Sequence, residues 1–375
     1  MSDPARYYMI GGFLGAGKTT AVAALAEHLI KQGRRIGLIT NDQGNELVDT
    51  AMLRARGFPT EEIPGGCFCC RFNSLVEAAK RLADASRPDA LVAEPVGSCT
   101  DLVATVTYPL RRIYGSQFRL APLSVLVDPV RAEQVFGISE GRKFSEKVLY
   151  IWRKQLEEAD ILVIAKTDLL QPSRLEALRA KLASEFPGKA ILNVSVKNGS
   201  GVRAWFELLE SMQPGSAAAM NVDYDIYADG EALLGWLNAT VQIDSKEDLD
   251  SHALLKALAG AMAKSLADWE IAHLKMTFSP DDALAGEIAA LSVVRSNIVP
   301  ELNLKLDSPV RSGQLIVNCR AEGSPEDLRA ALDTGVEAIR REFAGLSATI
   351  EHAEQFRPGR PTPTHRFQAP EPISA

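Results

Sequence analysis

The chain has 375 residues, enough for two domains that each bury a core. Its apolar content of 46% and charged content of 24% are those of soluble globular proteins. A net charge of -7 excludes a general affinity for nucleic acid or anionic membrane, so any phosphate binding has to come from a local site.

The opening MSDPARYYMI lacks the basic start and long apolar stretch of a signal peptide, and no window approaches a membrane-spanning run. A cytoplasmic location without a membrane partner is the expectation. Apolar runs at 7–12, 35–40, 90–94, 123–128, 160–165 and 190–195 read as buried strands. Between them lie helix-period stretches, such as the one with Val22, Leu25 and Leu29 on one face. This alternation predicts an α/β fold with a mostly parallel sheet, whose ligands bind beyond the carboxyl ends of the strands.

The first strand runs into Gly12-Phe13-Leu14-Gly15-Ala16-Gly17-Lys18-Thr19, which satisfies G-x-x-x-x-G-K-[ST] in full and opens an amphipathic helix. Glycines let backbone N–H groups curl around phosphate oxygens, and the helix N-terminus adds partial positive charge. Lys18 is placed to reach the β- and γ-phosphates, and the Thr19 hydroxyl to ligate Mg²⁺. Gly12, Gly15, Ala16, Gly17, Lys18, Thr19 and Thr20 are therefore the expected nucleotide contacts.

Five cysteines occur, three of them within Cys67-Phe68-Cys69-Cys70 behind Gly65-Gly66. Such close neighbours suit a disulfide framework poorly and metal or redox chemistry well. Thiolates are good ligands for Zn²⁺ and other borderline or soft cations, and three protein ligands leave a position open for a partner. Cys99 and Cys319 stand alone and read as packing residues.

The segment 212–220, with Pro, Gly, Ser and a run of Ala, reads as a linker. Domain limits are set at 1–214 for the phosphate-loop domain, 215–222 for the linker and 223–356 for a smaller C-terminal domain. In the latter, Leu237, Ala239, Val241 and Ile243 alternate as a strand, then Leu255, Leu258, Met262 and Leu266 follow a helical period. Ala272, Leu274, Met276 and Phe278 alternate again, as do Leu315, Val317 and Cys319. Ser324-Pro325-Glu326-Asp327 opens a second helix with an N-cap and a first-turn proline. Two strand–helix–strand units suggest an α+β domain of the ferredoxin-like kind. Residues 357–375, with RPGRPTPTHRF, read as an extended or disordered tail.

In order and spacing, GGFLGAGKTT, NDQG, GGCFCC, an E-x-x-G, a K-x-D and a smaller C-terminal domain resemble the CobW-type metallochaperone P-loop GTPases (cobalamin synthesis protein-like). These are relatives of the nickel-handling GTPases that mature urease and hydrogenase, and the resemblance covers nearly the whole chain. It implies that Asn41, Asp42, Gln43 and Gly44 form the first switch, with Asp42 or Asp49 near Mg²⁺ or the metal loop. It implies that Glu94 acts on magnesium or the attacking water, making Lys18, Thr19 and Glu94 the catalytic set. The Gly97 amide would sense the γ-phosphate, and Lys166, Asp168 and Ser195 would hold the guanine base.

Ala165 stands where the family usually has Asn or Thr, which removes a polar partner and about 1 kcal/mol of recognition. GTP preference is expected, but weakened. The five histidines are scattered, so the histidine-rich tract of many members is missing and single-site transfer is expected rather than storage. The implied function is a GTP-hydrolysing metallochaperone carrying Zn²⁺, or Co²⁺, on Cys67, Cys69 and Cys70. Its client would be a metalloprotein or cobalamin-related enzyme, and an oligomer is possible. Rival readings are a P-loop small-molecule kinase, which leaves the thiols unexplained, and a non-catalytic nucleotide or metal sensor, which leaves Glu94 and Thr19 unexplained.

Overall fold

A computed structural model describes residues 4–44, 48–282, 287–295 and 300–370, without the side chain of Glu301. By its contacts the chain forms two compact units. One comprises residues 1–43, 58–230 and 360–375, the other residues 44–57 and 231–359.

The chain opens with β1 (Ala5–Gly12), α1 (Lys18–Lys31), β2 (Ile36–Asn41) and α2 (Val48–Ala55), of which α2 lies in the second unit. The first unit continues with β3 (Thr60–Ile63), α3 (Phe72–Ser86), β4 (Ala90–Glu94), α4 (Tyr108–Tyr114), β5 (Phe118–Leu120) and β6 (Ser124–Val127). Next come α5 (Pro129–Val135), α6 (Glu146–Glu158), β7 (Ile161–Ile164), α7 (Pro172–Glu185), β8 (Ala190–Asn193), α8 (Val202–Ser211) and most of α9 (Tyr224–Leu233), whose last three residues are assigned to the second unit.

These strands make one sheet in the order β3-β2-β4-β1-β6-β7-β8, with β5 also beside β1, and every pairing is parallel. β2, β4, β6 and β7 are buried along their whole length, which is why they read as unbroken apolar runs. Val22, Leu25 and Leu29 of α1 are fully buried, as their spacing predicts. β1 lies between β4 and β6, so the loop leaving its carboxyl end opens where the connections diverge to either side. That is where an open parallel sheet binds its ligand.

The second unit holds β9 (Gly235–Leu249), α10 (Ser251–Ser265), β10 (Ile271–Pro280), β11 (Ala289–Val293), β12 (Glu301–Leu304), β13 (Val310–Ala321), α11 (Pro325–Glu342) and β14 (Leu346–Phe356). Its antiparallel sheet has the order β12-β11-β10-β13-β9-β14. With β9, β10, β13 and β14 as the four strands and α10 and α11 as the crossovers, the topology is ferredoxin-like. β11 and β12 extend it at the β10 edge. Leu255, Leu258 and Met262 of α10 and Leu328, Leu332 and Val336 of α11 pack with Leu237, Val241, Leu274 and Val317. α11 starts with a capping box, Ser324 accepting from the Asp327 N–H while Asp327 accepts from Ser324. α2 packs by Val48 and Met52 on Ile288 and Ala290, and its Asp49 pairs with Lys275 at 2.6 Å.

Residues 360–370 have no helix or strand, yet they are fastened along the first unit. The Thr364 N–H donates to Cys69 O at 2.8 Å and the Phe367 N–H to Ala104 O at 2.9 Å. Arg366 pairs with Asp101 at 2.6 Å. Gln368 O accepts from Ala219 of the 212–220 segment at 2.9 Å. Residues 371–375 of the expected tail lie outside the described residues. Among the described residues no helix is long and apolar enough to cross a membrane.

Candidate functional site

The phosphate loop is shaped by its glycines. Gly12, Gly15 and Gly17 have φ of 135°, 77° and 98°, a region that side chains avoid. A Cβ on Gly12 would also lie 2.8 Å from Leu126 O. The Ala16 N–H closes the turn on Phe13 O at 3.1 Å, and Gly17 sits at the N-cap of α1. Phe13 is anchored edge-on against Phe144, at 5.5 Å between ring centroids. Lys18 and Thr19 are buried, with Lys18 Nζ 3.4 Å from Phe13 O, while Thr20 is exposed.

Glu94, the buried last residue of β4, accepts from Thr19 Oγ1 at 3.0 Å. Two of the oxygen ligands expected for magnesium, Thr19 and Glu94, are thus side by side, and this donor set fits a hard cation. Three residues on, Gly97 lies directly against the loop: a Cβ there would meet Leu14 N at 2.9 Å and Leu14 Cα at 3.0 Å. Gln155 of α6 fixes this segment by donating to Gly97 O at 2.9 Å and Cys99 O at 2.8 Å. Asp42 follows the end of β2, where Thr40 is the register partner of Glu94. Its Oδ1 accepts from the Gln43 N–H at 2.6 Å. Asp49, by contrast, is engaged by Lys275 in the second unit.

Lys166, with φ of 50°, donates from Nζ to Gly15 O at 2.6 Å and pairs with Asp128 at 3.0 Å. Its stem passes 3.5 Å from where a Gly17 Cβ would be. Exposed Asp168 accepts from the buried Ser195 hydroxyl at 2.6 Å. Of the three residues expected at the base, Lys166 thus lies on the phosphate loop, while Asp168 and Ser195 hold each other. Asp128, which caps α5 through the Arg131 N–H, had a sequence signal only as the carboxylate ending a strand.

The three thiols converge. Cys67 Sγ is 2.8 Å from Cys69 Sγ and 3.3 Å from Cys70 Sγ, and Cys69 and Cys70 are 3.6 Å apart. All are free, and they form a group able to hold a metal ion. Zinc with Zn–S bonds of about 2.3 Å in tetrahedral array spaces its sulfurs by about 3.8 Å, so an ion would spread the tightest pair by about an ångström. Hydrogen bonds from Cys69, Cys70 and Cys99 hold the Cys67 thiol well below its usual range. The same bond to Cys67 pushes Cys69 up, and Cys70 up to about 11. Within the cluster Cys67 is thus the thiol most readily ionised.

Two contacts tie this loop to its surroundings. The buried Asn41 amide donates to Gly66 O at 2.6 Å and Ile63 O at 2.9 Å. On the outer side, the Thr362 N–H donates to Cys70 Sγ at 3.2 Å, and His365 packs edge-on against Phe72. Cys99, which reads as a packing residue, is fully buried and also meets Cys67. Its position two residues after Gly97 was the available clue. Cys319 does sit in the second unit's core, where burial raises its thiol to about 12.

Residues 6–193 match the CobW/HypB/UreG nucleotide-binding domain. The chain is 31% identical over 215 residues to the zinc chaperone CobW of a Sinorhizobium species, covering 51% of this chain and 58% of that protein. It is 30% identical over 177 residues to the zinc chaperone YeiR of Escherichia coli K12, covering 46% and 50%. To the zinc chaperone YjiA of the same organism it is 29% identical over 189 residues, covering 48% and 54%. The matches thus span about half the length of these relatives. With the family's nucleotide-binding domain matched by residues 6–193, half of this chain, and its motifs gathered at one end of a parallel sheet, the chain belongs to the CobW/HypB/UreG family.

Proposed function

We propose that this protein is a GTP-hydrolysing metallochaperone of the cytoplasm, which takes a transition metal on Cys67, Cys69 and Cys70 and releases it to a client metalloprotein. The observation that carries the reading is the Asn41 amide. It ends the strand that leads into the first switch, and it grips the glycine hinge before Cys67. Zinc is the favoured cargo, since three thiolates suit it and the relatives bear the name zinc chaperone. Cobalt is the second candidate.

In this reading the glycine amides, the α1 N-terminus and Lys18 bind the phosphates of GTP, and Lys166, Asp168 and Ser195 take the base. Thr19, Glu94 and Asp42 would hold Mg²⁺, which when bound would supply neutralisation of phosphate charge. Glu94 orients the attacking water. Gly97, packed on Leu14, reports the γ-phosphate to residues 98–99, while Asn41 reports the first switch to the thiol loop. Loss of the γ-phosphate relaxes both connections, and the thiols give up the ion. The second unit engages the client.

Phosphate release with Mg²⁺ and either GTP or ATP tests the enzymatic part. Hydrolysis that favours GTP and falls about 10²-fold or more in Lys18→Ala is expected. Equal rates in that variant, or transfer of phosphate to a small acceptor, would replace this reading with the kinase one.

A further inference from the structure

Cys67 and Cys69 are 4% and 1% exposed, so Cys70, which is half-buried, is the thiol nearest solvent. Residues 360–370 lie on it. The Thr362 N–H donates to Cys70 Sγ at 3.2 Å. Thr364 holds the same stretch twice, by its N–H to Cys69 O at 2.8 Å and its hydroxyl to Cys70 O at 3.1 Å. Farther along, Arg366 donates to the Asp101 carboxylate at 2.6 Å and to Met220 O at 3.0 Å. The Phe367 N–H donates to Ala104 O at 2.9 Å, and the Arg112 guanidinium lies 4.1 Å from the centre of the Phe367 ring. Pro361 and Pro363 keep the segment out of helix, so its main-chain donors are free to make these bonds.

The anchor for Arg366 is held without the tail. Asp101 has φ of 64°, a region that aspartate tolerates better than most side chains. Its carbonyl accepts from the Thr105 N–H at 3.0 Å and hydroxyl at 2.7 Å, and Tyr224 Oη donates to its carboxylate at 2.7 Å. That carboxylate is 1% exposed, so the place is built to receive a cation.

We propose that this surface is where the client docks, and that residues 360–370 occupy it as an internal stand-in. The occupant it fits is an extended segment of the client with an arginine beside an aromatic residue. The arginine pairs with Asp101, the ring lies under Arg112, and backbone N–H groups meet Cys69 O and Ala104 O. Such a segment displaces the tail and lays the client's own backbone on Cys70. The main-chain bonds accept any extended chain, and the two side chains carry the selection. A tethered tail competes at an effective concentration in the millimolar range, about that of a short flexible linker, so the thiols stay covered until a matching segment arrives. This rests on the metallochaperone reading above and gives the chemistry of its client.

A fluorescent peptide with the sequence of residues 360–370, added to the metal-free, reduced full chain, tests the surface by anisotropy. The wild type should bind it weakly, because its own tail competes. Arg366→Glu sets a carboxylate against Asp101, and this protein should bind the peptide about 10-fold or more tightly. The same peptide carrying Arg366→Glu should bind neither protein. Arg112→Ala, added to the Arg366→Glu protein, should weaken binding about 3-fold. Melting curves check that the variants fold. Hydrogen exchange on the wild type needs no substitution: the Thr364 and Phe367 amides should exchange about 10-fold or more faster than those of β4. No peptide binding to a folded Arg366→Glu protein, equal binding of the two peptides, or exchange as slow as in β4 would overturn the docking surface. A wild-type dimer that dissociates in Arg366→Glu would overturn it too, by giving the surface to a second copy of this chain. Peptide binding needs neither metal nor nucleotide, so its failure leaves the metallochaperone reading standing. Zinc binding that ignores the three thiols would remove that reading and leave the docking surface.

Discussion

Asn41 Nδ2 lies 2.6 Å from Gly66 O, joining the end of β2 to the hinge of the thiol loop through one buried amide. The same nitrogen donates to Ile63 O, so both amide protons face carbonyls. Asn41→Asp keeps the shape but turns the donor into an acceptor against two oxygens. It should cost about 1–3 kcal/mol of stability and weaken zinc binding, by denaturant melts and chelator competition. Wild-type stability in this variant would show that the bridge carries nothing.

Gly97→Ala tests the contact between the Glu94–Cys99 segment and the phosphate loop. The new methyl group would meet Leu14 backbone at 2.9–3.0 Å, where no flexible side chain can yield. Overpacking of about 1–3 kcal/mol predicts a loss of about 5- to 150-fold in affinity for a fluorescent GTP analogue. Gly260→Ala is the control, because nothing lies within 4 Å of its Cβ position in α10. That variant should bind nucleotide normally and gain up to about 1 kcal/mol from helix propensity.

Glu158 supplies a pH dependence. Burial raises its carboxyl from 4.5 to about 8, although Thr100 and the Val103 N–H donate to it. Since the folded value lies above the unfolded one, the protonated form stabilises the fold. Its contribution is full below about 4.5 and is lost as the pH rises through about 8. Denaturant midpoints should therefore fall between pH 5 and 8 in the wild type relative to Glu158→Gln, with a limiting slope of about 1.4 kcal/mol per pH unit. Parallel profiles would contradict the assignment.

The tail should protect the site. Arg366 is the counter-ion of Asp101, whose side chain is 1% exposed. Arg366→Ala therefore leaves a buried carboxylate with Tyr224 Oη, at 2.7 Å, as a donor but no paired charge, at a cost of about 3 kcal/mol to the tail's attachment. In metal-free, reduced protein the Cys70 thiol should then react about 10-fold faster with a disulfide reagent, and Asp101→Asn should partly restore protection. An unchanged rate in Arg366→Ala would mean that residues 360–370 do not shield Cys70.

Much of this was legible in the sequence, for reasons that differ by element. β2, β4, β6 and β7 are buried on both faces and so appear as continuous apolar runs, and the phosphate loop is readable because its backbone geometry is local. β3, with Glu61 and Glu62 in four residues, and the three-residue β5 are too short to show a period. β14 is an edge strand whose exposed positions, Ser347, Thr349, Glu351, His352 and Gln355, break a strict alternation, so its period is blurred. The clasp on the thiols was hidden for another reason: Thr362 is 292 residues from Cys70, and no local pattern records such a contact. Asn41 was visible as a switch residue, but its reach to Gly66 depends on β3 pairing with β2.

The central claim is that nucleotide and metal are bound by one coupled site. Zinc affinity measured by competition with a chromophoric chelator, first with GDP and then with a non-hydrolysable GTP analogue, tests it most directly. The account predicts tight binding that shifts between the two nucleotides, an equal reciprocal shift in nucleotide affinity, and no tight binding in a Cys67→Ala/Cys69→Ala/Cys70→Ala variant. Identical zinc affinity in both nucleotide states, or tight binding that survives loss of the three thiols, would contradict it.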